Sequence, residues 1–113
     1  MIDSCSFGQL VVDGCTYTSD LIIYPDGRVL DGWWRERGHR LSLDDIARLV
    51  ARRPDIIIAG TGVNGLMQPA PDLAENLERR GIRFLAAPND QAAAAYNAHC
   101  TVRRTAAGFH LFC

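Results

Sequence analysis

The stretch Pro54-Asp55-Ile56-Ile57-Ile58-Ala59-Gly60-Thr61-Gly62-Val63-Asn64-Gly65 decides how this chain must fold. A short, continuous, β-branched run bounded by a proline and a glycine cluster reads as a strand buried on both faces. Helical patterns lie on either side of it, over Ser42 to Arg53 and Asp72 to Arg80. Helices are therefore expected to cover its faces, which makes the fold a layered α/β one. The turn that ends the strand, Gly60 to Gly65, offers backbone N–H groups that can line a small concave site.

Working back from that strand, Ser42-x-x-Asp45 resembles a capping box, and Leu43, Ile46, Leu49 and Val50 share one helical face. Pro54 forbids continuation of this helix beyond Arg53. Further back lie a strand over Phe7 to Gly14, an extended segment over Cys15 to Tyr24, and a returning strand over Arg28 to Trp34. The dipeptide Asp13-Gly14 and the turn Pro25-Asp26-Gly27 separate them. The first third thus reads as an antiparallel β-meander. Trp33 and Trp34 are adjacent, so on a strand they point to opposite faces, one to the core and one outward.

Working forward, Pro71 and the acidic residues Asp72 and Glu75 open a second helix that Gly81 stops. Ile82 to Ala87 is a second buried strand, completing a βαβ unit with its predecessor. Asn89-Asp90 is expected to cap a third helix, Gln91 to about His99. Thr101 to Arg104 and Phe109 to Cys113 read as extended, with Thr105-Ala106-Ala107-Gly108 as their separator. The architecture expected is a single domain over residues 1–113, mixed α and β. Helices pack on a mixed central sheet, the meander followed by α-β-α-β-α-β.

A chain of 113 residues supports one core. Its formal charge of −1 gives no bulk attraction for nucleic acid. Every cationic residue except the histidines is arginine and lysine is absent, a compositional trait with little bearing on fold. No signal-peptide pattern and no apolar run near the ~20 residues of a membrane span occur, so the expectation is a cytoplasmic protein. Cys5, Cys15, Cys100 and Cys113 lack C-x-x-C spacing and are expected as free thiols. His99-Cys100 and His110-x-x-Cys113 place metal-binding residue types close together, but on a strand His110 and Cys113 face opposite sides. No metal and no cofactor are expected on that reading.

Gly60-Thr61-Gly62-Val63-Asn64-Gly65 matches G-x-G-x-x-G after a strand. Dinucleotide binding needs a helix to start at the third glycine, and here Leu66 to Pro71 intervene with two prolines. The acidic residue required at the end of the next strand is also missing. No lysine exists for a Walker motif, and no serine lies in G-x-S-x-G. No catalytic residue is assigned. Gly60, Thr61, Gly62 and Asn64, with His39 and Asn97, form the candidate ligand-binding set. Trp33 and Trp34 form the candidate interaction set, beside the charged segment Arg35 to Arg40.

Several scattered features keep an order that resembles one family. They are Phe7-Gly8, Val12-Asp13-Gly14, Tyr17 and Asp20; Asp26-Gly27, Trp33-Trp34 and His39; Pro54-Asp55 and Gly60-Thr61-Gly62; Ala95-Tyr96-Asn97; and the ending His110-Leu111-x-Cys113. Together they resemble the family of small domains of unknown function that includes the adipogenesis-associated protein and a mitochondrial respiratory complex I assembly factor. The resemblance implies a three-layer fold around a mixed sheet and carries no catalytic residues. It suggests a protein-interaction role with a protein partner. The charge and hydropathy imply no nucleic acid and no membrane span, and the chain is expected as monomer or homodimer. The alternative is a small-molecule binder or enzyme using the Gly60–Gly65 turn. The first reading expects an exposed apolar patch around a tryptophan, and the second a pocket at the end of the buried strand.

Overall fold

The computed structural model describes residues 1–113. Strands β1 (Ile2–Ser6), β2 (Gln9–Val12) and β3 (Cys15–Tyr17) precede β4 (Leu21–Ile23), β5 (Val29–Asp31) and β6 (Arg40–Leu41). A single 3₁₀ turn at Asp44–Ile46 leads into α1 (Ala47–Val50) and β7 (Ile56–Gly60). Then come β8 (Gln68–Pro69), α2 (Leu73–Arg79), β9 (Arg83–Ala87), α3 (Asn89–Cys100) and β10 (Thr105–Phe109).

The central sheet has five strands in the order β5-β4-β10-β7-β9. β10 runs parallel to β7 and antiparallel to β4, and β7 runs parallel to β9, so the sheet is mixed. All five residues of β7 are buried. Their alternation feeds two cores. Ile56 and Ile58 face the cluster formed with Ile2, Leu10, Val12, Tyr96 and Phe109, beneath the small β1-β2-β3 sheet and α3. Ile57 and Ala59 face the opposite cluster with Leu49, Leu73, Leu77 and Ile82, beneath α1 and α2. Each buried isoleucine contributes roughly 1.5–3 kcal/mol of apolar burial. That is why the unbroken run in the sequence specifies a middle layer.

The N-terminal meander does not form one sheet. β1, β2 and β3 make a separate antiparallel sheet, whereas β4 and β5 belong to the central one. β1 lies ahead of the expected first strand. The extended segment Cys15–Tyr24 breaks between Tyr17 and Leu21, where the chain passes from the outer to the central layer.

The C-terminal third also requires correction. Thr101–Arg104 is a turn, and the expected separator Thr105-Ala106-Ala107-Gly108 supplies most of the central strand β10. Residues 110–113 are not a strand. β10 has a layer on each face, and its small side chains suit the space available. At Gly108 an added Cβ would lie 2.9 Å from the Trp33 ring.

The expected Ser42–Arg53 helix is reduced to the 3₁₀ turn and α1. Only the reciprocal half of the capping box forms: the backbone N–H and hydroxyl of Ser42 donate to Asp45 Oδ2 at 2.8 and 2.9 Å, and no side chain caps the turn. α3 begins at Asn89 itself, whose side chain is directed to the site below instead of capping. No helix is long and apolar enough to cross a membrane.

Gly108→Ala is expected to lower stability by about 1–3 kcal/mol through overpacking against Trp33. Urea unfolding checks this. An unchanged midpoint would show that the Trp33 ring moves aside freely.

Candidate functional site

At the ends of β4, β7 and β10 the chain concentrates its buried polar side chains. His110 follows β10, and its backbone is held on both sides. Its N–H donates to Gly60 O at 2.9 Å, and its carbonyl accepts from Asn89 Nδ2 at 2.7 Å. Asn89 Oδ1 accepts from the Gly62 N–H at 3.0 Å. One buried amide therefore joins the glycine turn, the start of α3 and the end of β10.

Asp20, just before β4, organises the other side. Its Oδ1 accepts from the Leu111 N–H at 2.8 Å. Its Oδ2 lies 2.7 Å from His110 Nδ1 and 2.8 Å from Arg35 Nη2. Burial pushes the Asp20 carboxyl up, but hydrogen bonds from His110 and the Leu111 N–H, with the Arg35 guanidinium, hold it below the ordinary carboxylate range. The ionised carboxylate can only accept, so Nδ1 carries the ring proton and donates it to Oδ2. Arg35 Nη2, 3.0 Å from the same ring nitrogen, then donates to Asp20 and not to the ring. In the neutral ring this leaves the lone pair on Nε2, which is buried and has no hydrogen-bond partner.

Arg35 is buried too, with only 5% of its side chain exposed. It donates to Gly38 O from Nε and Nη2 at 3.2 and 2.9 Å, and it stacks 4.7 Å from the centre of the Trp33 ring. Trp33 Nε1 donates to Asp45 O at 2.9 Å. Trp33 is thus a structural plate between β10 and the Asp44–Ile46 turn.

The expected ligand set is only partly gathered. His39 approaches His110, with ring centroids 5.8 Å apart. Asn97 is elsewhere: its side chain exchanges two 2.8 Å hydrogen bonds with the backbone of Ile2, fastening β1 to α3. Thr61 is buried, and its backbone is bonded to Ala87 and Met67. The N–H groups of the glycine turn are already used. Val63 donates to Phe112 O, and Asn64 and Leu66 donate to Cys113 O, at 2.8, 3.0 and 3.3 Å. Gly62 has φ +107°, and a Cβ there would lie 2.5 Å from the Cys113 carbonyl carbon. The turn receives the chain's own segment 112–113, which is the close backbone approach its glycines permit.

His110 and Cys113 are not held on opposite faces, because residues 110–113 do not continue strand β10. His39, His110 and Cys113 bring one ligand atom each to within 4.8 Å of one another. All four cysteines are unpaired, and Cys15 is exposed. Asp20, Arg35 and Asn89 were not distinguished by sequence as site residues. No local motif marks them, since their partners lie 90, 75 and 21 residues away from them in sequence.

Trp34 is 76% exposed. With Trp33, Ile22 and Leu30 it lines a groove of about 540 Å³, whose polar wall is Glu36, Asp44, Asp45 and Arg48.

Layer order and site together define a small three-layer α/β domain with a polar junction at the sheet's end. The chain belongs to the protein family of unknown function DUF498/DUF598, whose model matches residues 2–110. Its fold is similar to that of the conserved hypothetical protein PH1505 from Pyrococcus horikoshii OT3. The TM-score is 0.83 at 22% identity, covering 100% of this chain and 99% of that one. A structure titled MT938 is similar at a TM-score of 0.82 and 25% identity, covering 100% and 98%. XCC1710 from Xanthomonas campestris follows at 0.79 and 24%, covering 98% and 83%. No curated protein matches.

Replacing Asp20 with Asn leaves Arg35 buried without its counter-charge and is expected to cost about 3–5 kcal/mol at neutral pH. Because the folded carboxyl is held below its unfolded value of ~3.9, its contribution is full above that pH. It is lost as pH falls through the depressed folded value. The stability gap between wild type and Asp20→Asn, measured by urea unfolding, should therefore narrow below about pH 4. A gap that stays constant into acid would contradict the ion pair.

Proposed function

We propose that this domain is a non-catalytic protein-interaction module, whose tryptophan groove receives a basic segment of a partner. The observation that carries this reading is Trp34, a tryptophan 76% exposed at the rim of the largest groove. Large aromatic side chains left in water are characteristic anchors of interfaces. The groove wall supplies the complementary charge. Glu36 and Asp44 are exposed, and the Asp45 carboxylate lies beside them, against the single cation Arg48. An arginine or lysine side chain laid over the Trp34 face would meet both the ring quadrupole and these carboxylates.

Trp33, fixed by Asp45 and Arg35, gives the groove a rigid floor, so little ordering cost attaches to binding. The resemblance to an assembly factor points in the same direction. A small ligand at the Gly60–Gly65 turn is the weaker reading, because segment 112–113 already bonds the N–H groups that would hold it.

Titration with a short arginine-rich peptide should give a saturable change in tryptophan fluorescence that weakens with added salt. Trp34→Ala should reduce affinity at least about tenfold, and Glu36→Gln by a smaller factor. An equal response to a glutamate-rich peptide of the same length would overturn the proposal. So would the absence of any saturable change.

A further inference from the structure

We propose that His39, His110 and Cys113 form a binding site for a divalent transition metal ion of the zinc type, with Asp20 as the positioning residue behind His110. Two imidazoles and a thiolate are the borderline-soft donor set that zinc prefers over magnesium or calcium. The three ligand atoms lie within 4.8 Å of one another. A tetrahedral ion with metal–nitrogen bonds of about 2.0–2.1 Å and a metal–sulfur bond of about 2.3 Å needs them roughly 3.3–3.6 Å apart. Closure by about an ångström suffices, and His39 is exposed and free to turn inward.

The independent observation is His110. Its side chain is only 9% exposed, yet its Nε2 has no partner in the protein. A buried ring nitrogen without a hydrogen bond carries an uncompensated desolvation cost. A metal ion at Nε2 removes that cost.

The rest of the ring is arranged as metal-bound histidines are. Asp20 accepts the Nδ1 proton at 2.7 Å, fixing the tautomer that directs the Nε2 lone pair outward from the carboxylate. Asn89 and Gly60 fix the backbone on either side of the ring. Arg35 offsets the Asp20 charge, so the thiolate supplies the net negative charge at the ion. Binding releases the Cys113 thiol proton to solvent and forms the metal–sulfur bond. Three protein ligands leave the fourth position of a tetrahedral ion to an external donor.

The test is a cobalt(II) titration of the reduced, chelator-treated full chain. Binding should produce a thiolate-to-cobalt charge-transfer band and intensified visible bands of four-coordinate cobalt, at one ion per chain. Added zinc should bleach both. Cys113→Ser should remove the charge-transfer band. His39→Ala, at an exposed position that leaves the fold intact, should lower affinity. Asp20→Asn should weaken it by about 10–100-fold. Should Asp20→Asn unfold, His39→Ala and Cys113→Ser decide the matter alone. Absence of the charge-transfer band in the wild type overturns the site. Its persistence in Cys113→Ser does so too, by assigning the thiolate to another cysteine.

Discussion

The Asp20 carboxylate is the contact on which the polar end of this domain depends. It sits one residue ahead of β4, an interior strand of the sheet, and holds three partners from two segments distant in sequence. Leu111 and His110 come from the end of the last strand, and Arg35 comes from the loop that carries the tryptophans. Its backbone carbonyl adds a fourth, accepting from the Trp33 N–H at 2.9 Å. A single residue thus sets the position of the tryptophan floor, the orientation of the histidine ring and the path of the segment that fills the glycine turn. Removing a charge so enclosed leaves its guanidinium partner stranded, which makes the junction cooperative.

Much of the layering was legible in the chain. Ile56-Ile57-Ile58 could be read as a two-faced strand because β-branched side chains at consecutive positions have no solvent-facing alternative. The βαβ unit followed from the helical spacing of Leu73 and Leu77 and from the stop at Gly81. β10 was not legible, although it pairs with two neighbours in the middle of the sheet. Thr105-Ala106-Ala107-Gly108 has little β-propensity, and its smallness makes sense only once Trp33 is known to lie on Gly108. Propensity measures the fit of a side chain to its surroundings, and here the surroundings are contributed by the opposite end of the molecule. The division of the meander between two sheets escaped for the same reason, since local pattern does not say which sheet a strand joins.

The site was legible in fragments. The glycine turn was read as a concave site whose N–H groups could hold a ligand, but those groups bond the chain's own segment 112–113. His39 and His110 were noted separately and meet in space. Cys113 was set apart from His110 by assuming a strand where β10 has already ended at Phe109. Asn89 reads as a helix cap from its position, and its real partners are a glycine N–H and a histidine carbonyl across the junction. Polar residues with distant partners leave no periodic trace, whereas apolar ones with neighbours at fixed spacing do.

The place of β10 has a consequence for how the chain reaches its native state. β4–β5 and β7–β9 share no hydrogen-bonded edge, and β10 alone lies between them. The two halves of the central sheet can each pair locally, but neither can close until the strand latest in chain order inserts. Folding is therefore governed by non-local pairing with a high loop-closure cost, the regime of slow folders. Until insertion, β4 and β7 each expose an apolar edge open to other chains, so the period before β10 docks is the interval of greatest aggregation risk.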